Sequence, residues 1–503
     1  MTQYTIGIDI GGTHTDAVLI DNRQQIVKKI KTITTDPIDI GFQDVINKLM
    51  DGRQWQDIST VFVGTTHATN AILEARDLYK VGVLRMTGYT PRIKPCSLWP
   101  AKIKQAVLAG CVTIGGGFEC DGRQISAFQE EEAKRALETL IDSGAESIAA
   151  TSAFSPLFPE QELKLVALAE KLGIPLSLSS EMGTLGFIER ENAAILNAAL
   201  KKPLAKGFSA LQNLCKAPLF LTQNSGTILD VASAIQYPIL TLSAGPTNSF
   251  YGAAKLSNYE HAVVIDIGGT STDIGLIKNG FPRRSLGRSY IGGIALNFSM
   301  PDVLAIALGG GSYVDFNAKT IGPHSCARKL KQQALCFGGD SMTLTDLAVC
   351  LYPDLIPEAT PPKLCNRQAA ELMYKALSTI REGALYMAGK EPPPILLVGG
   401  GASLFKHISN DFVIPEHADV ANAYGSALAE IAHTEEKIAS LSEQDKMLAD
   451  LEAVCLQKTI AKGADPKKTR LIDVQILPYH YIPGQLGRMI VTAAGPPEKI
   501  ATH

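Results

Sequence analysis

The 503-residue chain exceeds the usual span of one hydrophobic core, so at least two domains are expected. Hydrophobic residues make up 46% and charged residues 19%, with a net charge of -3, a balance that gives no reason to expect a nucleic-acid partner. No run of 18 apolar residues suggests a membrane span. The nine cysteines are scattered and never spaced Cys-x-x-Cys, which argues against a zinc or iron-sulfur site and points to reduced thiols in a cytoplasmic protein.

In chain order, residues Thr5 to Ile10 form an apolar, β-branched strand, and Gly11-Gly12-Thr13-His14-Thr15 turns. Asp16 to Ile20 is a second strand, ending at Asp21-Asn22-Arg23. No helical period follows, so the glycines open a hairpin, unlike a P-loop or dinucleotide fold. Helices are expected near Asp39 to Leu49 and, after Gly64-Thr65-Thr66, at Ala68 to Ala75. The stretch from Gly88 to Arg123 reads as an irregular insertion. Alternating helices and strands resume at Glu130 to Leu140, Ser147 to Phe154, Glu160 to Leu172 and Ile174 to Ser179, the alternation of α/β layers.

A second half starts with a helix at Ser243-Ala244-Gly245-Pro246 and repeats the hairpin. "DIGGTHTD" (Asp9 to Asp16) and "DIGGTSTD" (Asp266 to Asp273) agree at seven of eight positions, 257 residues apart. A Gly-Gly-Thr turn presents backbone amides and hydroxyls in a concave nest suited to phosphate oxygens. The leading aspartates, Asp9 and Asp266, end their strands where hydrated magnesium bridging such phosphates needs hard oxygen ligands. Asp16 and Asp273 either join that task or hold the turns. One copy alone could be only a tight hairpin. Two copies, one per half, suggest hairpins facing each other across a cleft. The basic run Pro282-Arg283-Arg284 with Arg288 reads as a solvated turn rather than a phosphate site. Further on, Pro394 to Val398 is a strand leading into Gly399-Gly400-Gly401, and Val420 to Ala427 is a helix of small residues. Glu435 to Ala461 is expected to be a charged helix, and strands Leu471 to Leu477 and Arg488 to Ala493 follow it.

These parts, in this order, resemble the actin, Hsp70 and sugar-kinase superfamily of two-domain ATPases. Within it the chain is similar to the hydantoinase/oxoprolinase family, specifically its hydantoinase A-type subunit. The resemblance rests on "VGTTHATNAILE" (Val63 to Glu74), the Pro-x-x-Glu helix and Ser-rich strand between Phe154 and Gly183, "RENAAILNAAL" (Arg190 to Leu200), "SAGPTNSFYGAAKL" (Ser243 to Leu256) and "ALGGGSYVD" (Ala307 to Asp315).

The resemblance implies an α/β fold of two actin-like, ribonuclease H-like ATPase domains flanking a nucleotide cleft. Expected bounds are 1–195, with an insertion near 88–123, then 196–433, and a C-terminal appendix of helix and strand pair at 434–503. ATP and Mg2+ are the implied cofactors. Gly11, Gly12, Thr13, Thr15, Gly268, Gly269, Thr270, Thr272, Gly399, Gly400 and Gly401 are the implied nucleotide contacts, with Asp9 and Asp266 as catalytic and metal residues. The implied reaction phosphorylates the carbonyl of a cyclic amide, hydantoin or 5-oxoproline-like, for ring opening. A hydantoinase B-type subunit is the implied partner, and self-association stays open. A small-molecule kinase and an ATP-switched binding protein are the alternatives. The second half departs from the family pattern: Leu304 stands where a histidine is usual, and Ile321 to Asp340 replaces a Pro-Gly-Pro and Cys-Tyr-Gly segment. His14 replaces Ser271 of the other turn and reads as a cover over it. His67 reads as a helix-start residue, and His324, His407, His417 and His480 read as structural or exposed.

Overall fold

A computed structural model describes residues 3–498 apart from 36–37, 89–92, 183–184, 286–287, 298–299, 390–392 and 479–485. His480 and the loop between the last two strands therefore lie outside the described residues.

The chain opens with β1 (Tyr4–Ile10), β2 (His14–Ile20), β3 (Ile26–Ile33) and β4 (Ile58–Thr65). It continues through β5 (Val81–Met86), β6 (Leu108–Ile114), β7 (Ser147–Ser152) and β8 (Leu176–Leu178), then β9 (Leu219–Thr222) and β10 (Ile228–Asp230). The first sheet has the order β10-β9-β4-β1-β2-β3. β1 runs antiparallel to β2 and parallel to β4, and β4 runs parallel to β9. Residues 6 to 10 are all buried, Ile6, Ile8 and Ile10 on one face and Gly7 and Asp9 on the other, as a central strand covered on both faces requires.

The second sheet, β6-β5-β7-β8, is wholly parallel, with the helices Glu130–Asp142 and Glu160–Leu172 among its connections. β6 and the helix Ala101–Val107 lie in the stretch expected to be irregular. The apolar Ala106-Val107-Leu108-Ala109 run followed by Val112 and Ile114 gives β6 a side to bury, and it adds to β5. At the carboxyl end of this sheet Arg85 forms a buried two-bond ion pair with Glu191, and Trp99 Nε1 donates to Asn192 Oδ1 at 2.8 Å. Both acceptors lie on one helix, Phe187–Leu214. That helix runs through the expected boundary at 195/196, because the apolar "AAILNAAL" continues without a breaker until Pro203, which the helix absorbs. β9 and β10, expected beyond the boundary, complete the first sheet.

The third sheet is built on β11 (Ala262–Ile267), β12 (Thr272–Lys278) and β13 (Phe281–Pro282), with order β13-β12-β11 followed by Ile395–Val398 and Phe412–Val413. β11 is antiparallel to β12 and parallel to Ile395–Val398. This repeats the plan of the first sheet, where β1 is antiparallel to β2 and parallel to β4. Two helices lie between the repeats. In Ala244–Ser257 and Ala421–Ala427 the backbones touch: a Cβ on Gly425 would sit 1.9 Å from the Asn248 carbonyl oxygen. The shorter helix also meets β1, where a Cβ on Gly7 would lie 2.2 Å from the Ala423 carbonyl.

The C-terminal region is a three-stranded sheet, with Leu486–Gly495 between Ile431–Ser440 and Arg470–Pro478, packed on the helix Gln444–Ala461. Residues 435–440 are therefore strand, where a helix was expected, and that strand crosses the expected boundary at 433. Its charges pair across the sheet, as when Arg488 binds Glu436. Arg470 grips Glu430 with two bonds of 2.9 and 3.1 Å, tying this sheet to Tyr251, whose hydroxyl donates to the same carboxylate at 3.2 Å.

Candidate functional site

Both turns close the same way. The amide of Gly11 donates to the His14 carbonyl at 3.0 Å, and that of Gly268 to Ser271 at 2.9 Å. Asp9 lies opposite Asp16 in one register and Asp266 opposite Asp273 in the other. The turns approach each other: a Cβ on Gly269 would be 3.7 Å from Thr13 Oγ1. Arg328 extends the contact by donating from Nε to the Gly12 carbonyl.

The glycines cluster as the sequence suggests, and two triplets frame the second turn. Gly399 has φ +87°, and a Cβ there would strike Asp266 Oδ1 at 2.1 Å. Gly401 donates to the Ile267 carbonyl at 2.8 Å, while Gly400 is exposed. On the other side, Gly310 and Gly311 donate to the carbonyls of Gly268 and Gly269 at 3.0 and 2.8 Å. Gly309 packs against the backbone of Gly269 and Thr270.

Two expected contacts are placed differently. Thr15 Oγ1 bonds Thr34 Oγ1 at 3.0 Å, and Thr272 Oγ1 donates to the Leu308 carbonyl at 2.6 Å, both buried. These strand-borne hydroxyls are spent on bonds within the protein, Thr34 in turn donating to the Gly11 carbonyl at 2.9 Å, so they brace the hairpins. Gly11 to Thr13 and Gly268 to Thr270 remain partly open.

The carboxylates form one electrostatic unit. Asp9 is raised to about 7, first by burial and then by the charges of Asp16 and Asp266; the amides of Asn422 and Asn248 partly offset this. Asn422 Nδ2 donates to Asp9 Oδ2 at 3.0 Å and to Asp16 Oδ2 at 3.1 Å. Asp9 Oδ1 is buried without a hydrogen-bond partner. Asp266 is raised by burial and Asp16, against the lowering effects of Ser249 and Lys31. Asp273 is raised to about 7 by burial and Asp266. Lys31, from β3, sits among them, with Nζ 2.7 Å from Asp16 Oδ1. Neither Lys31, Arg328, Asn248 nor Asn422 stands out in the sequence.

Among the described residues no group of three or more His, Cys, Asp or Glu side chains is arranged to hold a metal ion. Asp9 with its unpartnered oxygen, and Asp266 across the gap, nevertheless fit a magnesium ion that keeps most of its waters and gains its other oxygens from phosphate. A cation there would relieve the mutual repulsion that raises these acids. His14 is held below its ordinary value by burial and then by Lys31, and its Nδ1 lies 3.3 Å from Thr13 Oγ1, so it covers the turn as a neutral ring. His67 begins the helix His67–Glu74, its amide donating to Thr65 Oγ1 at 3.0 Å.

An α/β protein in which two of the sheets carry the same Asp-x-Gly-Gly-Thr hairpin is the class that this geometry defines. Two family descriptions match in sequence: "Hydantoinase/oxoprolinase N-terminal region" over residues 5–173 and "Hydantoinase/oxoprolinase" over 190–387. The chain belongs to the hydantoinase/oxoprolinase family. It is 24% identical over 516 residues to the acetophenone carboxylase gamma subunit of Aromatoleum aromaticum, covering 86% of this chain and 69% of that one. It is 21% identical over 502 residues to the caprolactamase subunit alpha of Pseudomonas jessenii, covering 86% and 71%. The solved structure of the ATP-dependent caprolactamase from Pseudomonas jessenii shares the fold, with TM-score 0.76 and 18% identity over 99% of this chain and 89% of that one. No helix among the described residues is long and apolar enough to cross a membrane.

Proposed function

We propose that the chain is an ATP-dependent enzyme that activates the carbonyl of a small cyclic amide for ring opening, acting with a partner subunit of the hydantoinase B type. The supporting observation is the pair of Asp-x-Gly-Gly-Thr hairpins, in one register and turn to turn, with Asp266 near enough to help raise Asp9. Two of the relatives are named as subunits, which supports the need for a partner.

In this reading the ATP phosphates lie between the turns, on the amides of Gly11 to Thr13 and Gly268 to Thr270. Gly400, exposed beside them, leaves room for the adenosine, while Gly399 and Gly401 pack on Asp266 and Ile267. Asp9 and Asp266 would hold a magnesium ion, which would supply charge neutralisation on the phosphates. Lys31 and Arg328 bring positive charge to the same gap. The amide carbonyl oxygen bonds to the γ-phosphorus as the bond to ADP breaks. Water then adds to the activated carbon, the ring C–N bond breaks with protonation of nitrogen to leave an acyl phosphate, and a second water hydrolyses it to a carboxylate and inorganic phosphate. An amide carbonyl is a poor electrophile, and phosphorylation converts its oxygen into a leaving group. The protein's contribution is positioning and preorganised charge. Carboxylation of a ketone can use the same activated oxygen, and the acetophenone carboxylase relative favours that as the second reading.

The deciding experiment is ATP turnover by the purified chain, alone and with a candidate B-type subunit, against hydantoin, 5-oxoproline, caprolactam and small sugars. Phosphate release stimulated by a cyclic amide is expected. Label transferred stoichiometrically to a stable sugar phosphate would overturn the reading in favour of a kinase.

A further inference from the structure

Away from the hairpin turns the chain has an open cleft of about 690 Å3, which shares the wall residues Ser225, Arg284, Ser285, Asp473 and Gln475 with a recess of about 390 Å3. Three parts of the molecule meet there: the β9–β10 turn, the segment after β13, and the C-terminal sheet. None of the hairpin residues lines it.

Arg284 belongs to the basic run that reads in sequence as a solvated turn, and the structure corrects that reading. It lies half-buried between the third sheet and the C-terminal sheet, with Nη1 donating to Thr434 Oγ1 and Thr492 Oγ1, both at 3.3 Å. The other arginines of the walls have carboxylates: Arg283 with Asp302, Arg288 with Glu189, Arg488 with Glu436. Arg284 makes no ion pair among the described residues. A guanidinium carries five N–H donors, and two long bonds to neutral hydroxyls leave most of its fork unused. Burial lowers Arg284 from its ordinary value, with Asp473 the opposing charge.

The wall holds a second donor. Asn224 is only 3% exposed, lines the cleft, and its Nδ2 is buried with no hydrogen-bond partner. A buried unpaired amide is costly, and in the wall that also carries Arg284 it offers a donor to an acceptor bound in the cleft. The walls also carry Asp473, Glu189 and Glu436, whose charges oppose a dianion more than a monoanion.

We propose that this cleft is a binding site for a small carboxylate, anchored by Arg284 with Asn224 as a second donor. The site does not depend on the reaction assigned above. Its connection to that reading is that water opening an amide leaves a carboxylate, and the test below requires no turnover, so the two can fail separately.

The test is calorimetric titration of the full chain with acetate, succinate and inorganic phosphate at fixed ionic strength, on wild type, Arg284→Gln and Asn224→Ala. The expected result is carboxylate binding that weakens roughly tenfold or more in Arg284→Gln and less in Asn224→Ala, with ATP affinity unchanged in both. Unaltered ATP affinity controls for folding, and should Arg284→Gln fail to fold, Asn224→Ala still reads a loss, of the smaller size. Equal carboxylate affinity in the variants, or no carboxylate binding to wild type, overturns the site. Phosphate binding more tightly than either carboxylate overturns the ligand class.

Discussion

The two hairpins carry nearly the same eight residues in the same register, yet their acids live in different surroundings. At the first, Asp9 and Asp16 share the Asn422 amide, and Lys31 pairs with Asp16. At the second, Asp273 has burial and Asp266 as its resolved influences, and both push it up, to about 7. The first turn is crossed by Arg328, whereas the second is packed from below by Gly309 to Gly311. A repeated sequence thus sets a repeated backbone, while the chemistry of each copy comes from side chains that are not part of the repeat.

The strongest way to break this contrast is to remove the leading acids. Asp9→Asn and Asp266→Asn should each lower ATP turnover by about 100-fold or more, while Asp273→Asn should cost less than about tenfold, measured as phosphate release. Equal losses at Asp273 would show the two copies to be functionally alike. Lys31→Met should lower turnover by roughly 10- to 100-fold. Because Lys31 lowers Asp266, its loss should also move the rising limb of the pH profile to higher pH. Gly399→Ala forces a Cβ against Asp266 and should destabilise the fold by about 1–3 kcal/mol, whereas Gly400→Ala, whose Cβ would come no nearer than 3.6 Å to Lys31, should be close to neutral in thermal unfolding. The smallest effect is in pH-dependent stability. Asp9 and Asp273 rise from 3.8 to about 7, so between those values the folded protein holds protons that the unfolded chain has released. Stability of the nucleotide-free protein in chelator should therefore fall as pH rises from about 4 to 7, and Asp273→Asn should flatten that slope.

Much of this arrangement can be read from sequence because it is local. The hairpins, the glycine triplet after Val398 and the helix from Ala421 depend on residues within a few positions of one another. Lys31 is different: it is one of three lysines in "IVKKIKTI", and only the pairing of that strand beside β2 sets it at Asp16. Asn422 is 413 positions from the carboxylate it serves, and no pattern of spacing reports such a meeting. The strand Ile431–Ser440 fails to announce itself for the same reason. "HTEEKIAS" has the charge density of a helix, and it becomes sheet because Leu486–Gly495 offers ten partners in register. Arg284 looks like surface in the sequence because the hydroxyls that receive it lie 150 and 208 residues away.

The helix Ala244–Ser257 has a mechanical consequence. Two adjacent residues on it serve different hairpins, since Asn248 eases the charge of Asp9 and Ser249 that of Asp266. Its backbone is pressed against Ala421–Ala427 at Gly252 and Gly425, with no side chain between to act as a cushion. Neighbouring helical residues point about 100° apart, so one short stretch of this helix reaches the acids of both hairpins and ties them together through protein alone.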